Sequence, residues 1–226
     1  MAEAAIDGGA SIVVLSDRDL DGSTLAVPML LAVGTLHHHL IRSGKRMMVD
    51  IVADCGEVAD VHVLACLVGY GASAVCPWMA LNAASEYAGT RGCEGLSDAD
   101  LRRNYLAQLD KGFLKVSSKM GISTATGYRG AQIFETIGLS PVVVERSFTG
   151  TPARLGGVGM AEIAADTFRR HREAFAENAA KLPDLGFVRY RKDGEPHGYE
   201  PPMVKALQAA VNTEDRSLYA EYRDHV

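Results

Sequence analysis

The sequence has 226 residues, with 23 Lys and Arg against 28 Asp and Glu, so its formal charge is −5. Hydrophobic residues make up 47% and charged residues 23%, the mix of a globular chain, which excludes wholesale disorder, collagen and coiled coil as global descriptions. Lys and Arg come only in short pairs such as Arg102-Arg103 and Arg169-Arg170, so a mildly acidic chain has no general attraction for phosphate backbones and no nucleic acid partner is expected. The start, Met1 to Asp7, is acidic where a secretory signal needs bases, and no apolar run nears the roughly 18 residues of a membrane span. Four cysteines, Cys55, Cys66, Cys76 and Cys93, form no CxxC pair. They read as reduced thiols in a cytoplasmic protein with no membrane partner.

From residue 11 to about 144, short β-branched runs alternate with helix-period segments, the pattern of βαβ units and a mainly parallel sheet with flanking helices. The spacing predicts a first strand at 11–16, a polar loop at 17–26 and a helix from Pro28 whose apolar residues Leu30, Val33, Leu36 and Leu40 share a face, closed by Gly44. A second strand is expected at 48–53, a helix at 57–68, a short third strand at 73–76 and a helix after Pro77. Three glycines make 87–95 a loop. Ser97-Asp98-Ala99-Asp100 is an S-x-x-D capping box, opening a long helix to about Met120 in which Gly112 is a candidate bend. A fourth strand at 122–124, a helix at 129–137, a fifth strand at 141–144 and a helix at 160–180 follow. After Leu182-Pro183 the chain turns rich in Gly and Pro before a last helix from Met203. The organisation expected is an α/β region over 1–183, an incomplete TIM-barrel-like domain, and a linker with a helix over 184–226.

Several motifs invite chemistry. Asp17, Asp19, Asp21 and Gly22 spell the first half of an EF-hand loop, but its twelfth position falls on Pro28, which has no carboxylate; a solvated loop is the plainer reading. His37, His38 and His39 are adjacent, and on a helix they fan through about 200°, so they cannot converge on one ion. Lys111, Lys115 and Lys119 line one helix face, as a solvated stripe does, with Lys119 closest to the carboxyl-end loops. Gly156-Gly157-Val158-Gly159 precedes a helix and could hold an anion, but a glycine cluster without a Walker lysine or a full G-x-G-x-x-G is better explained by turn formation. The run Ser123-Thr124 through Tyr128, Gln132 and Glu135 is dense in polar groups and follows a predicted strand, where α/β folds place their sites.

Lys111 to Thr124, then Tyr128-Arg129-Gly130-Ala131-Gln132-Ile133-Phe134-Glu135, then Phe148-Thr149-Gly150-Thr151 together resemble the large subunit of glutamate synthase. Val14-Leu15-Ser16-Asp17-Arg18, Pro28 with Ala32-Val33-Gly34, His37 to Arg42 and Gly69-Tyr70-Gly71-Ala72 resemble the same family. The resemblance implies the central domain and the approach to the FMN-binding domain. In that family an N-terminal cysteine hydrolyses glutamine, ammonia crosses an internal channel, and reduced FMN delivers hydride to the imine formed from 2-oxoglutarate. A three-iron 3Fe-4S cluster carries electrons from ferredoxin or from an NAD(P)H-dependent small subunit.

Met1-Ala2 offers no N-terminal cysteine, the cysteine spacings of 11, 10 and 17 differ from the tight run of the family's cluster, and the glycine-rich flavin segment would lie past Val226. No catalytic, cofactor-binding or metal residue is therefore carried over, and the segment is not expected to be active alone. The expectation is an interior piece or standalone relative of glutamate synthase, a CH-NH2 oxidoreductase, working as scaffold and ammonia-channel lining beside the amidotransferase and FMN-binding domains. Lys119, Ser123, Thr124, Tyr128, Gln132 and Glu135 are the candidates for a polar wall. Two alternatives stand beside it: a TIM-barrel-like small-molecule enzyme with Lys119 as a buried amine nucleophile, and a non-catalytic assembly module.

Overall fold

The computed structural model describes residues 1–176 and 184–225. The described part divides into two compact units, 1–175 and 176–226. The domain edge expected at 183, and the end of the helix expected to reach 180, lie outside the described residues.

The first unit is mixed α/β. Helix α1 (Ala2–Asp7) leads to β1 (Ile12–Ser16), α2 (Met29–Arg42), β2 (Asp50–Asp54), α3 (Val61–Gly69) and β3 (Ala74–Cys76). These strands form one parallel sheet in the order β1-β2-β3, with Val14 opposite Val52 and Val52 opposite Ala74. Sequential parallel strands joined by right-handed crossovers place their helices on one face. The core shows this: Ile51 and Ala53 are buried with Val33, Leu40 and Leu67 of the helices, and Val13, Leu15 and Val75 pack against them. On the opposite face Ile12 and Val14 stay exposed, while Val52 is half-buried.

The chain continues through α4 (Trp78–Glu86), α5 (Asp98–Lys119) and the single turn α6 (Ala125–Tyr128) into β4 (Thr136–Leu139), α7 (Pro141–Ser147), β5 (Ala153–Val158) and α8 (Met160–Ala174). Strands β4 and β5 pair in parallel as a second sheet with an irregular register. The architecture is two small parallel sheets flanked by helices, with no closed barrel among the described residues. In the second unit, α9 (Pro201–Thr213) buries Met203, Ala206 and Ala210, and α10 (Arg216–Asp224) is capped by Asp215, which accepts from the Ser217 N–H.

Local chemistry explains most boundaries. The Ser97 hydroxyl accepts from the Asp100 N–H while Asp100 accepts from the Ser97 N–H, so the predicted capping box starts α5. The third helix begins at Val61 and not at 57 because Asp60 caps it, accepting from the Val63 N–H at 2.9 Å. Residues 46–48 form a 3-10 turn, which moves the start of β2 to Asp50. Gly112 does not end or divide α5. A Cβ there would run into Val61, so the glycine serves the close approach of α3 to α5.

Four expectations are corrected. Residues 122–124 are not a strand; the Thr124 side chain accepts from the Gly127 N–H and caps α6. The stretch 129–135 is not helical, because Gly130 has φ of 74° and donates its N–H to Gly69 O, and Phe134 stacks on Tyr70. Residues 141–144 begin a helix, with Pro141 in its first turn and Val143 and Val144 buried. The glycine cluster at 156–159 is not a turn: Gly156, Gly157 and Val158 are strand β5, where Gly157 lies so close to Gly138 of β4 that no Cβ fits.

Candidate functional site

The carboxyl ends of β1, β2 and β3 carry a dense polar cluster. The buried Asp17 carboxylate accepts from the Gly56 N–H through both oxygens at 2.9 Å and from Trp78 Nε1–H at 2.7 Å. Next to it, Arg18 donates to both Asp54 oxygens, Nε at 2.6 Å and an Nη at 2.8 Å. The same guanidinium lies 5.4 Å from the Trp78 ring centroid, within cation–π range. Ser16 adds a third hydrogen bond to Asp54 at 2.8 Å. The Arg18 partner holds the Asp54 carboxyl below the usual carboxylate range and Arg18 itself is raised by Asp54. Each of these acids accepts three hydrogen bonds, and the arrangement ties the strand ends together. In the sequence Asp17 stands in a half EF-hand pattern, read as a solvated loop, and in a family-like word, neither of which marks it as a buried acceptor. The acceptor geometry that ties it to Trp78 joins residues 61 positions apart and leaves no local signal.

At the other end of the sheet, residues 129–134 wrap over the ends of α2 and α3. His37 is buried and its Nδ1 accepts from Arg46 Nε at 2.9 Å, while Arg46 also donates to Val49 O and Gly71 O. Burial, reinforced by Arg46, His38 and Arg129, pushes the His37 pKa down to about 4. Arg129 spans to Asp50 at 3.1 Å and to the Ser73 hydroxyl at 2.5 Å. Between these groups His37, His38, Tyr70, Gln132, Thr149 and Thr151 help line a cavity of about 10 Å³, the space of one water-sized molecule.

The six predicted wall residues fall in different surroundings. Lys119 and Ser123 are exposed, as are Lys111 and Lys115 on the same helix. The burial needed for Lys119 as an amine nucleophile is therefore missing. Thr124 is spent on its capping bond. Tyr128 is fully buried, edge-on to Phe113 with centroids 4.9 Å apart. Gln132 borders the small cavity, and Glu135 pairs with Arg154 of β5 at 3.2 Å. Of the six, Gln132 reaches that cavity and Tyr128 anchors the segment leading to it.

The remaining motifs diverge. His38 meets His37 edge-on, whereas His39 turns to Glu3. Asp21 binds the Ser23 hydroxyl and N–H, and these bonds lower its pKa to about 2. Burial pushes the Cys55 thiol up to about 12 and Cys66 up to about 11, unsuited to thiolate ligation. No group of three or more His, Cys, Asp and Glu among the described residues could hold a metal ion, so these cysteines do not fit an iron–sulfur cluster. The α8 N-terminus does not fit a flavin phosphate either, because the Glu162 carboxylate already accepts from the Gly159 N–H at 2.8 Å. No helix among the described residues is long and apolar enough to cross a membrane.

An α/β domain of small parallel sheets without a closed barrel, its strand-end acids held by hydrogen bonds to Asp17 and the Arg18–Asp54 ion pair, is the class that fold and site define. The family model described as the glutamate synthase central domain matches residues 1–140. The chain belongs to that family. It is 40% identical to ferredoxin-dependent glutamate synthase 2, chloroplastic, of Arabidopsis thaliana, over 100% of this chain and 14% of that protein. Similar matches are the NADPH glutamate synthase large chain of Bacillus subtilis, 40% identical over 98% of this chain and 14% of that one, and ferredoxin-dependent glutamate synthase 2 of Synechocystis, 42% identical over 93% and 14%. The chain thus spans about one seventh of the length of these curated relatives.

Proposed function

We propose that these residues serve glutamate synthase, which turns glutamine and 2-oxoglutarate into two glutamates, as a scaffold that lines the ammonia route. The observation that carries this reading is the closed bonding of the polar groups: Asp17, Arg18 and Asp54 are consumed within the chain, while Gln132, His38 and Thr151 border a one-molecule cavity. The FMN and 3Fe-4S cofactors, the amidotransferase and FMN-binding domains, and a ferredoxin or NAD(P)H-dependent electron donor belong in this reading to the rest of the enzyme. The boundary between the central-domain-like part and the segment leading toward the FMN-binding domain falls near 183. The cytoplasm is its compartment in an enzyme without an organelle. The test is flavin titration of the purified 226-residue chain, followed by assay with ammonia, 2-oxoglutarate and a reductant. The scaffold reading expects no stoichiometric flavin and no glutamate; both together would overturn it.

A further inference from the structure

The face of the β1-β2-β3 sheet opposite its helices is only thinly covered by the first unit: Ile12, Val14 and Ala74 are exposed and Val52 is half-buried. Its middle cross-strand row is apolar, Val14 beside Val52 beside Ala74, and Ile12 and Val14 are 58% and 57% exposed. The rows on either side are charged but internally neutralised: Asp50 with Arg129 at one end, Asp54 with Arg18 at the other. An apolar centre inside a rim of satisfied polar groups is the anatomy of an interface. Parallel sheets occur almost only with both faces covered. The winding places every crossover helix on the other side, so this chain's own βαβ units cannot supply the cover.

The geometry points to this face as the docking surface for an apolar segment from elsewhere in a glutamate synthase large chain. This rests on the proposed role above. The occupant is argued from length: relatives that match this chain end to end are about seven times longer, and a face whose charges are already paired selects an apolar partner over a charged one. The segment would lay aliphatic side chains on Val14 and Val52 and leave both ion pairs at its margins. It would exclude water from a face that otherwise stays wet.

Two measurements test this. In the 226-residue chain, Val14→Thr, which keeps the β-branched shape, leaves the denaturation midpoint nearly unchanged, because that side chain is more than half exposed there; a marked fall in midpoint would mean that the chain already covers this face itself and would end the proposal. In the Bacillus subtilis large chain carrying these residues in place of its matching segment, Val14→Cys is labelled by a maleimide at least tenfold more slowly than in the 226-residue chain, read by peptide mass spectrometry. Equal labelling in an active exchanged enzyme overturns the docking face while leaving the family role intact. An exchanged enzyme that folds but makes no glutamate even from ammonia counts against the family role, and slow labelling in it still supports the docked segment.

Discussion

Asp17 and His37 show how single side chains hold this domain, and each makes a prediction. Asp17 is the acceptor for the indole of Trp78, the one tryptophan in the sequence. Asp17→Ala strands that indole N–H and the Gly56 N–H, so stability should fall by about 1–3 kcal/mol, with a shift in tryptophan emission that reports the site directly. An unchanged emission spectrum would remove Asp17 from the clasp. His37 is neutral in the fold, accepting from Arg46 with His38 and Arg129 nearby. Its pKa of about 4 lies below the ordinary value of 6.5. The unfolded chain therefore takes up the proton first, and the stability this group contributes is fully present above about pH 6.5 and is lost as pH falls toward 4. Denaturant midpoints measured from pH 7.5 to 4.5 should decline across that window. In His37→Gln, whose amide oxygen can still accept from Arg46, the decline should be shallower; an equal slope would show that His37 does not drive it.

Elements whose signals are local were legible in the sequence, and those fixed by distant partners were not. The Ser97 and Asp100 box and the β-branched runs of β1 and β3 carry their own instructions, and the structure follows them. Ser97→Ala should cost about 1 kcal/mol through loss of the cap, measured by chemical denaturation. By contrast, residues 129–144 were misread because their conformation is set by tertiary contacts: Gly130 bonded to Gly69, Phe134 stacked on Tyr70, and Val143 and Val144 buried beside Phe148. A run of valines reads as strand until Ser140-Pro141 starts a helix and the core accepts that helix. The crossing of α2 and α7 depends on Gly34, whose missing side chain leaves room for the Ser147 carbonyl, and on the 2.8 Å bond between the Thr35 and Ser147 hydroxyls. Gly34→Ala should destabilise by about 1–3 kcal/mol or more, since the obstacle is backbone and cannot rotate away. A stability equal to the parent would mean that the helices separate freely.

Across the whole molecule, the family was legible because long ordered words such as Tyr128 to Glu135 resemble it, and the family model matches residues 1–140. The candidate wall was less legible. Residues adjacent in sequence part in space: Lys119 and Ser123 are exposed, Tyr128 is buried, and only Gln132 of the six borders the cavity beside His37, because a segment that wraps instead of coiling sends successive side chains to different surroundings. What unites the molecule is that the polar groups at its strand ends bond to one another, and that its reactive-looking motifs part: His37 is packed and bonded to Arg46, His39 turns outward to Glu3, and the glycine cluster runs into strand β5. The role proposed for these residues is to shape a passage and not to react. It is tested most directly by Gln132→Ala in a glutamate synthase large chain carrying this segment, with glutamine-dependent and ammonia-dependent glutamate formation measured side by side. The glutamine-dependent rate should fall severalfold while the ammonia-dependent rate holds; equal loss of both in a folded enzyme would rule the passage out.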